Sequence, residues 1–346
     1  MQSLSKFKSI AITCVGNRYI GRCALNTTIS NSTSSISTTN NNYYYNINRS
    51  FSTTPNNHTT NTNNNNNNSQ VGSSSTSSSS SSKRQNEIDF FNTMAKDWWN
   101  EEGEMKPLHK MNPVRVQYIV EKLKEVGAIN GGGGGGDVAT AAAAASSPLK
   151  GLKIIDVGCG AGLLTESLCR LGASVVGVDA AQQNIKMAIA HANLDQLLQQ
   201  KLQLQQLEYI ESTIENHVVN ANNPQYDVVC SLEVVEHVDN VPEFISNLTK
   251  ILKPGGSLFI STINRTPLSW LLTIVGAEYL LRIVPVNTHH HNQFVMPTEL
   301  RQYIESSDSA MRLLDQKGLF YNPITCNWSI MDDTKVNYII HAIKLK

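Results

Sequence analysis

The chain has 346 residues, 16% of them charged, with a formal net charge of zero. That neutrality hides an asymmetry: seven Lys and Arg and no acid precede Glu87, leaving twenty-one bases against twenty-eight acids in the remainder. An acidic remainder without a basic stripe argues against a nucleic-acid partner, and no apolar run is both long enough and charge-free enough to span a membrane.

In chain order, residues 1–51 are basic, acid-free and Ser-rich, with Leu4, Phe7, Ile10 and Ile12 among the bases. This composition predicts a mitochondrial presequence, and Arg49-Ser-Phe-Ser52 resembles a matrix-peptidase site cut after Phe51. Residues 52–86 are mostly Ser, Thr and Asn, which cannot bury enough apolar surface to offset ordering entropy, so they are expected to form a disordered linker. The folded domain is expected over 87–346, with insertions near 130–148 and 195–206. Phe90, Phe91, Trp98 and Trp99 suit either a docked lid, an aromatic pocket or plain core packing. Lys106-Pro-Leu-His-Lys-Met-Asn-Pro-Val-Arg115 carries two prolines around His109 and predicts a shaped entrance loop, followed by a helix to about Val126. Arg115 is a candidate carboxylate holder.

The chemistry-bearing stretch is Lys153–Leu164. Ile154, Ile155 and Val157 predict a buried parallel strand. Gly158, Gly160 and Gly162 then lead into a helix with Leu164, Leu168 and Leu171 on one face. A second strand, Ser174–Val178, ends in Asp179, about twenty residues past the first glycine, where an acid can bind ribose hydroxyls. Strand, glycine loop, helix, strand and acid make a nucleoside-binding unit. A dinucleotide fingerprint needs a third glycine where Leu163 stands, which disfavours an oxidoreductase. The Asp-x-Gly-x-Gly-x-Gly pattern resembles motif I of the class I S-adenosylmethionine-dependent methyltransferases. The Gln/Leu run from Gln196 to Gln206 is read as a possible helix extension.

Further strands are expected at Glu208–Glu211, Tyr226–Glu233 and Ser257–Ile263. A helix between the last two carries Phe244, Ile245 and Leu248, with Asp239 or Asn240 as cap and Lys253-Pro-Gly-Gly256 as stop. Two antiparallel strands around Tyr321 and Val336–His341 complete the chain. The alternation predicts an α/β doubly wound, mostly parallel, Rossmann-like seven-stranded sheet, with Gly158, Asp179 and Glu233 on the rim where ligands bind. In Glu233-Val-Val-Glu-His237, one helical turn would gather Glu233, Glu236 and His237. That set suits a divalent ion; alternatively His237 is a general base, or the turn only edges the cofactor pocket. Pro267–Pro285 is apolar but carries Glu278 and Arg282. It would cover the active site, lie in a membrane interface through Trp270 and Leu271, or pack in the core. His289, His290 and His291 read as a surface loop. Six cysteines without a Cys-x-x-Cys pair predict free thiols, with Cys159 a loop residue rather than a nucleophile.

Beyond the superfamily, the chain resembles the ubiquinone-biosynthesis O-methyltransferase family. The resemblance rests on Trp98-Trp99 through Lys106-Pro-Leu-His, Asn112-Pro-Val-Arg115, Asp156–Gly162 and Glu233-Val-Val-Glu-His237. Lys253–Gly256 into Ser261-Thr-Ile-Asn264, Gly276-Ala-Glu-Tyr279, Thr288-His289 and Tyr321-Asn-Pro extend it over nearly all of 87–346. It implies S-adenosylmethionine held through Arg115, Gly158, Gly160, Asp179 and Leu232, and a divalent ion, magnesium first, at Glu233, Glu236 and His237. It also implies polyprenylated catechol substrates, with His237 or His109 taking the proton if the ion does not. It places such enzymes peripherally on the matrix face of the mitochondrial inner membrane, within a multi-enzyme assembly. Ala161 and His290-His291-Asn292 depart from the family pattern. Methylation of another small molecule, or a non-catalytic S-adenosylmethionine-binding scaffold, remains the alternative.

Overall fold

Residues 98–129, 147–273 and 291–346 are described by a computed structural model of the chain. The expected presequence (1–51) and linker (52–86), Phe90 and Phe91, the Gly/Ala insertion and most of the Pro267–Pro285 segment, with Ile274, Tyr279, Arg282, His289 and His290, lie outside the described residues.

The first helix, α1 (Lys106–Glu125), contains the stretch expected to be an entrance loop. Pro107 falls in its first turn, where a missing N–H costs nothing, and Pro113 lies inside. Tyr118, Ile119 and Leu123 recur on one face and are buried, and their burial against the sheet outweighs one lost helical hydrogen bond. Strand β1 (Lys153–Val157) is buried on both faces after its first residue, which is why Ile154, Ile155 and Val157 do not alternate with exposed polar residues, and why Asp156 between them is buried as well. Ile154 packs with α1 and with α2 (Leu163–Arg170), while Ile155 points to the opposite face.

The remaining order is β2 (Ser174–Asp179), α3 (Gln182–Ala192), α4 (Gln196–Gln203), β3 (Leu207–Glu211), α5 (Ile214–Asn220), β4 (Tyr226–Leu232), a 3-10 turn at Val235–His237, α6 (Val241–Lys250) and β5 (Leu252–Ile263). Then come α7 (Pro297–Ser307), β6 (Met311–Asn322), β7 (Asn327–Met331) and β8 (Asn337–Lys344). Among the described residues they form one eight-stranded sheet, ordered β3-β2-β1-β4-β5-β8-β6-β7. The first five strands are parallel; β8 runs antiparallel to β5 and β6, and β7 antiparallel to β6.

Seven strands were expected. The eighth arises because the Tyr321-Asn-Pro stretch is the end of β6 followed by a hairpin turn, after which the chain returns as a separate strand, β7. The Asn322 side chain accepts from the N–H groups of Ile324 and Thr325, and Cys326 takes a left-handed φ of 53°. An Asx-type turn of this kind sends the chain back as β7. Lys253-Pro-Gly-Gly256 is also more than a helix stop. Pairing of β4 with β5 jumps from Tyr226↔Leu252 to Val228↔Ser257, so the turn is a bulge within β5.

The Gln/Leu run is a separate helix, α4, begun by Asp195, whose side chain accepts from Leu198 N. The four described cysteines are free; Cys159, Cys169 and Cys230 are buried, and burial holds the Cys159 thiol well above its ordinary pKa, leaving no nucleophilic thiolate.

Candidate active site

The sheet topology reverses beside β1, and the loops after β1, β2 and β4 share that rim. After Val157 the backbone turns left-handed at Gly158 (φ 77°) and Gly160 (φ 55°). A Cβ on Gly158 would collide with Val234, and one on Gly160 with the Trp98 indole. Both positions therefore require glycine for conformation and for close approach. Gly158 N and Cys159 N donate to the Val178 carbonyl at 2.7 and 3.1 Å, tying the loop to the end of β2.

Asp179 closes the unit as expected. Its Oδ2 accepts from Gly160 N at 2.9 Å; its Oδ1 accepts from Ala181 N at 2.8 Å and from Asn184 Nδ2 at 3.3 Å. Burial raises its pKa, and these hydrogen bonds oppose the shift. Oδ2 retains acceptor capacity for a ribose hydroxyl. Beneath the loop, Asp156 is buried, accepts from Thr165 Oγ1 at 2.6 Å, and is pushed up to about 6 by burial against the pull of Thr165 and Arg115.

Arg115 reaches the rim from α1. It is buried, and its Nη2 lies 3.4 Å from Glu233 Oε1, an ion-pair distance without hydrogen-bond geometry. Its Nε and Nη2 have no hydrogen-bond partner. These two nitrogens form one edge of the guanidinium, the edge that takes a carboxylate side-on through two parallel bonds. A free amino-acid carboxylate thus fits this chain's own unmet donors, and the residues present fit S-adenosylmethionine: glycine loop, Asp179 and Arg115. Leu232 is buried at the end of β4, next to Glu233.

The structure does not gather Glu233, Glu236 and His237 around one point. Among the described residues no group of three His, Cys, Asp or Glu is placed to hold a metal ion. The reason is local. Glu233 is outside any helix, with a left-handed φ of 59°, and only Val235–His237 form a 3-10 turn. The Glu233 carboxylate accepts from Ser261 Oγ at 2.6 Å and Asn337 Nδ2 at 3.4 Å. Glu236 turns inward, buried, and accepts from Thr262 Oγ1 at 2.7 Å. Burial, and then the charge of Glu233, raise its pKa and favour its neutral form.

His109 lies elsewhere. Its Nε2 is 2.7 Å from the Trp98 carbonyl, which makes it the donor, and its ring meets Trp99 edge-on. Burial lowers its pKa, so it is neutral with Nδ1 as acceptor.

Trp98 and Trp99 pack on the glycine loop with Met105 and Ala161. Ser261 and Thr262, which receive the two glutamates, and Asn184 carried no role in the sequence reading. Position alone could have flagged Ser261 and Thr262, since they end a strand on the ligand rim.

A methyltransferase-domain family model matches residues 121–311. The chain is 55% identical over 260 residues to the mitochondrial ubiquinone biosynthesis O-methyltransferase of Dictyostelium discoideum, covering 75% of this chain and 77% of that one. It is 40% identical to the mitochondrial enzyme of the same name from Rattus norvegicus, covering 75% and 69%, and 39% identical to the ubiquinone biosynthesis O-methyltransferase of Bartonella bacilliformis, covering 76% and 96%. Among solved structures, magnesium protoporphyrin IX methyltransferase from Synechocystis PCC 6803 aligns over 74% of this chain and 97% of its own, with 20% identity and a TM-score of 0.44.

Proposed function

Because the chain belongs to the ubiquinone biosynthesis O-methyltransferase family, we propose that it methylates a catechol hydroxyl of polyprenylated ubiquinone precursors, at the 3,4-dihydroxy-5-polyprenylbenzoate and demethylubiquinol stages. It is an S-adenosylmethionine-dependent methyltransferase; the acceptor is the proposal. The observation that carries the cofactor half is the unpaired edge of Arg115 on the same rim as Asp179.

S-adenosylmethionine supplies an electrophilic methyl group on a sulfonium. The chain's residues must position the acceptor, shed water and remove a proton. Gly158 and Gly160 set the left-handed loop that borders the ligand, Asp179 takes ribose hydroxyls, Arg115 takes the carboxylate, and Leu232 walls the pocket. A phenolic hydroxyl with pKa near 10 is a poor nucleophile at neutral pH, so a base within hydrogen-bond reach is needed. His237, which follows the Leu232–Glu233 rim, is the candidate base; His109, with Nε2 on the Trp98 carbonyl and Nδ1 left as acceptor, is the alternative.

Family resemblance supports a divalent ion at Glu233, Glu236 and His237. Those carboxylates would hold the ion, which would supply charge for the phenolate; in this structure they accept from Thr262 and Ser261, bonds that a ligating carboxylate can keep through its other lone pairs. Leu268, Trp270, Leu271 and Leu272 are each more than 40% exposed in one short stretch, which supports peripheral membrane contact; no helix among the described residues is long and apolar enough to cross a membrane. With residues 1–51 as presequence and two of its relatives mitochondrial, this favours the matrix face of the inner membrane, within an assembly of enzymes of the same pathway. A reporter fused to residues 1–51 should enter mitochondria, and a cytosolic reporter would contradict the address.

The decisive experiment incubates the full chain with labelled S-adenosylmethionine and a panel of catechols that includes a short-chain 3,4-dihydroxy-5-prenylbenzoate. Label should appear on the prenylated catechol; labelling of non-catechol acceptors alone would overturn the reading. Run with chelator and confirmed low metal content, the same assay decides the ion. Loss of turnover restored by magnesium supports it, and undiminished turnover removes it.

A further inference from the structure

The two tryptophans preceding α1 pack on the glycine loop at successive residues, Trp98 at Gly160 and Trp99 at Ala161. Trp98 is buried, lies on the bare Cα of Gly160, and donates from Nε1 to Asn184 Oδ1 at 3.0 Å. Trp99 donates from Nε1 to the Ala161 carbonyl at 3.1 Å and stacks on His191, with ring centroids 3.3 Å apart and planes 3° from parallel. His191 is in turn held by Glu166 at 2.9 Å. This segment is fastened to the part of the molecule that meets the cofactor.

Asn184, from the first turn of α3, is the connecting residue. It is 2% exposed, and its amide has two faces of different character. An indole N–H can only donate, so the Asn184 oxygen must face Trp98. Its NH2 group then faces Asp179, whose Oδ1 accepts from it. The orientation of the amide is forced by its two partners. Trp98, Asn184, Asp179 and Gly160 thus form one hydrogen-bonded chain that begins in the aromatic strap and ends at the acceptor for ribose.

We infer that Asn184 and Trp98 are positioning residues for the cofactor: Trp98 sets the Asn184 amide, Asn184 sets the Asp179 carboxylate, and ribose binding and docking of the Trp98–Trp99 strap form one event. The inference rests on the cofactor reading above. It makes a segment outside the nucleoside-binding βαβ unit part of the cofactor site. A structural role alone would affect folding stability and leave ligand affinity unchanged.

The test is calorimetric titration of the full chain with S-adenosylhomocysteine and, separately, with adenosine, which keeps the ribose and lacks the amino acid. Asn184→Ala should weaken both ligands by roughly tenfold, the scale of one hydrogen bond to a charged group. In an Asp179→Asn background it should add little, because its effect runs through that carboxylate. Trp98→Phe keeps an aromatic ring over Gly160 but removes the donor, and should weaken both ligands by a smaller factor. Backbone amide exchange at residues 98–105 should slow on ligand binding in the wild type and not in Asn184→Ala. If Asn184→Ala fails to fold, the conservative Trp98→Phe carries the test. Unchanged affinities in folded variants, or losses that simply add to that of Asp179→Asn, would overturn the inference while leaving the cofactor reading intact. Wild-type protein that binds neither ligand would sink both.

Discussion

At the level of single residues, Glu233 and Arg115 are expensive to keep. Glu233 holds a left-handed backbone that side chains with a Cβ disfavour by about 1–2 kcal/mol, and it does so directly after β4, where its carboxylate meets Ser261 and Arg115. Arg115 buries a guanidinium whose Nε and Nη2 make no hydrogen bond, although Glu233 stands at ion-pair distance from Nη2, and an unmet buried donor costs roughly 1–3 kcal/mol. Costs of this kind persist where a ligand recovers them. If the unpaired edge receives the cofactor carboxylate, Arg115→Lys should weaken S-adenosylhomocysteine strongly, by roughly 1–3 kcal/mol, since an ammonium offers charge without the side-on pair. Adenosine, which has no carboxylate, should bind the variant nearly as well as the wild type. Calorimetry on the two ligands checks this; equal losses for both would remove the carboxylate from Arg115.

Whole elements were legible where local chemistry decided them and obscure where tertiary packing did. Ile154, Ile155 and Val157, the glycine spacing and Asp179 announced β1, its loop and β2, because a doubly buried strand and a left-handed turn each admit few residues. The start of α1 was not legible. Pro107 and Pro113 argue locally for a loop, and only the burial of Tyr118, Ile119 and Leu123 against the sheet decides for a helix. The geometry of the glutamate pair was not legible for a similar reason: i, i+3 and i, i+4 spacing places side chains on one face only where the backbone is helical, and Glu233 lies outside any helix with a left-handed φ of 59°. The β6–β7 hairpin depends on how Asn322 caps its own turn, which composition does not reveal. The Gln/Leu run, unremarkable as an insertion, is a helix with an identifiable anchor. Asp195 caps α4 through Leu198 N and pairs with Arg170 at 2.8 Å, and Leu198 is fully buried. Asp195→Ala should therefore lower unfolding free energy by about 1–2 kcal/mol, from the lost cap and a partly shielded ion pair. Denaturant unfolding measures it, and a change below a few tenths would show that the run merely decorates the fold.

Across the whole molecule, two buried titratable groups on distant strands set opposing pH dependences. Asp156 on β1 is held up at about 6 by burial, above an ordinary 3.8. A raised acid favours the native state while neutral, so its contribution is full below pH 3.8 and is lost as pH rises through about 6, by roughly 3 kcal/mol in all. His341 on β8 stacks on Phe259, is bonded to Ser257, and is held down at about 4 by burial, with the charge of Lys122 acting the same way. A depressed histidine contributes stability above its ordinary 6.5 that is lost as pH falls through about 4, again by roughly 3 kcal/mol. The windows nearly coincide and the signs oppose, so between pH 4 and 6.5 the two contributions largely cancel in the wild type. The strands stand three places apart in the sheet, roughly 14 Å at ordinary strand spacing, far enough for substitutions to act independently. Asp156→Asn should then gain up to about 3 kcal/mol over the wild type at pH 7.5, a gain that vanishes near pH 4. His341→Gln should show the reverse difference relative to its own value at pH 7.5, becoming comparatively more stable as acid is added. Denaturant unfolding of the full chain from pH 4 to 8 gives both curves. Differences from the wild type that do not change with pH would mean that neither buried group titrates in this range.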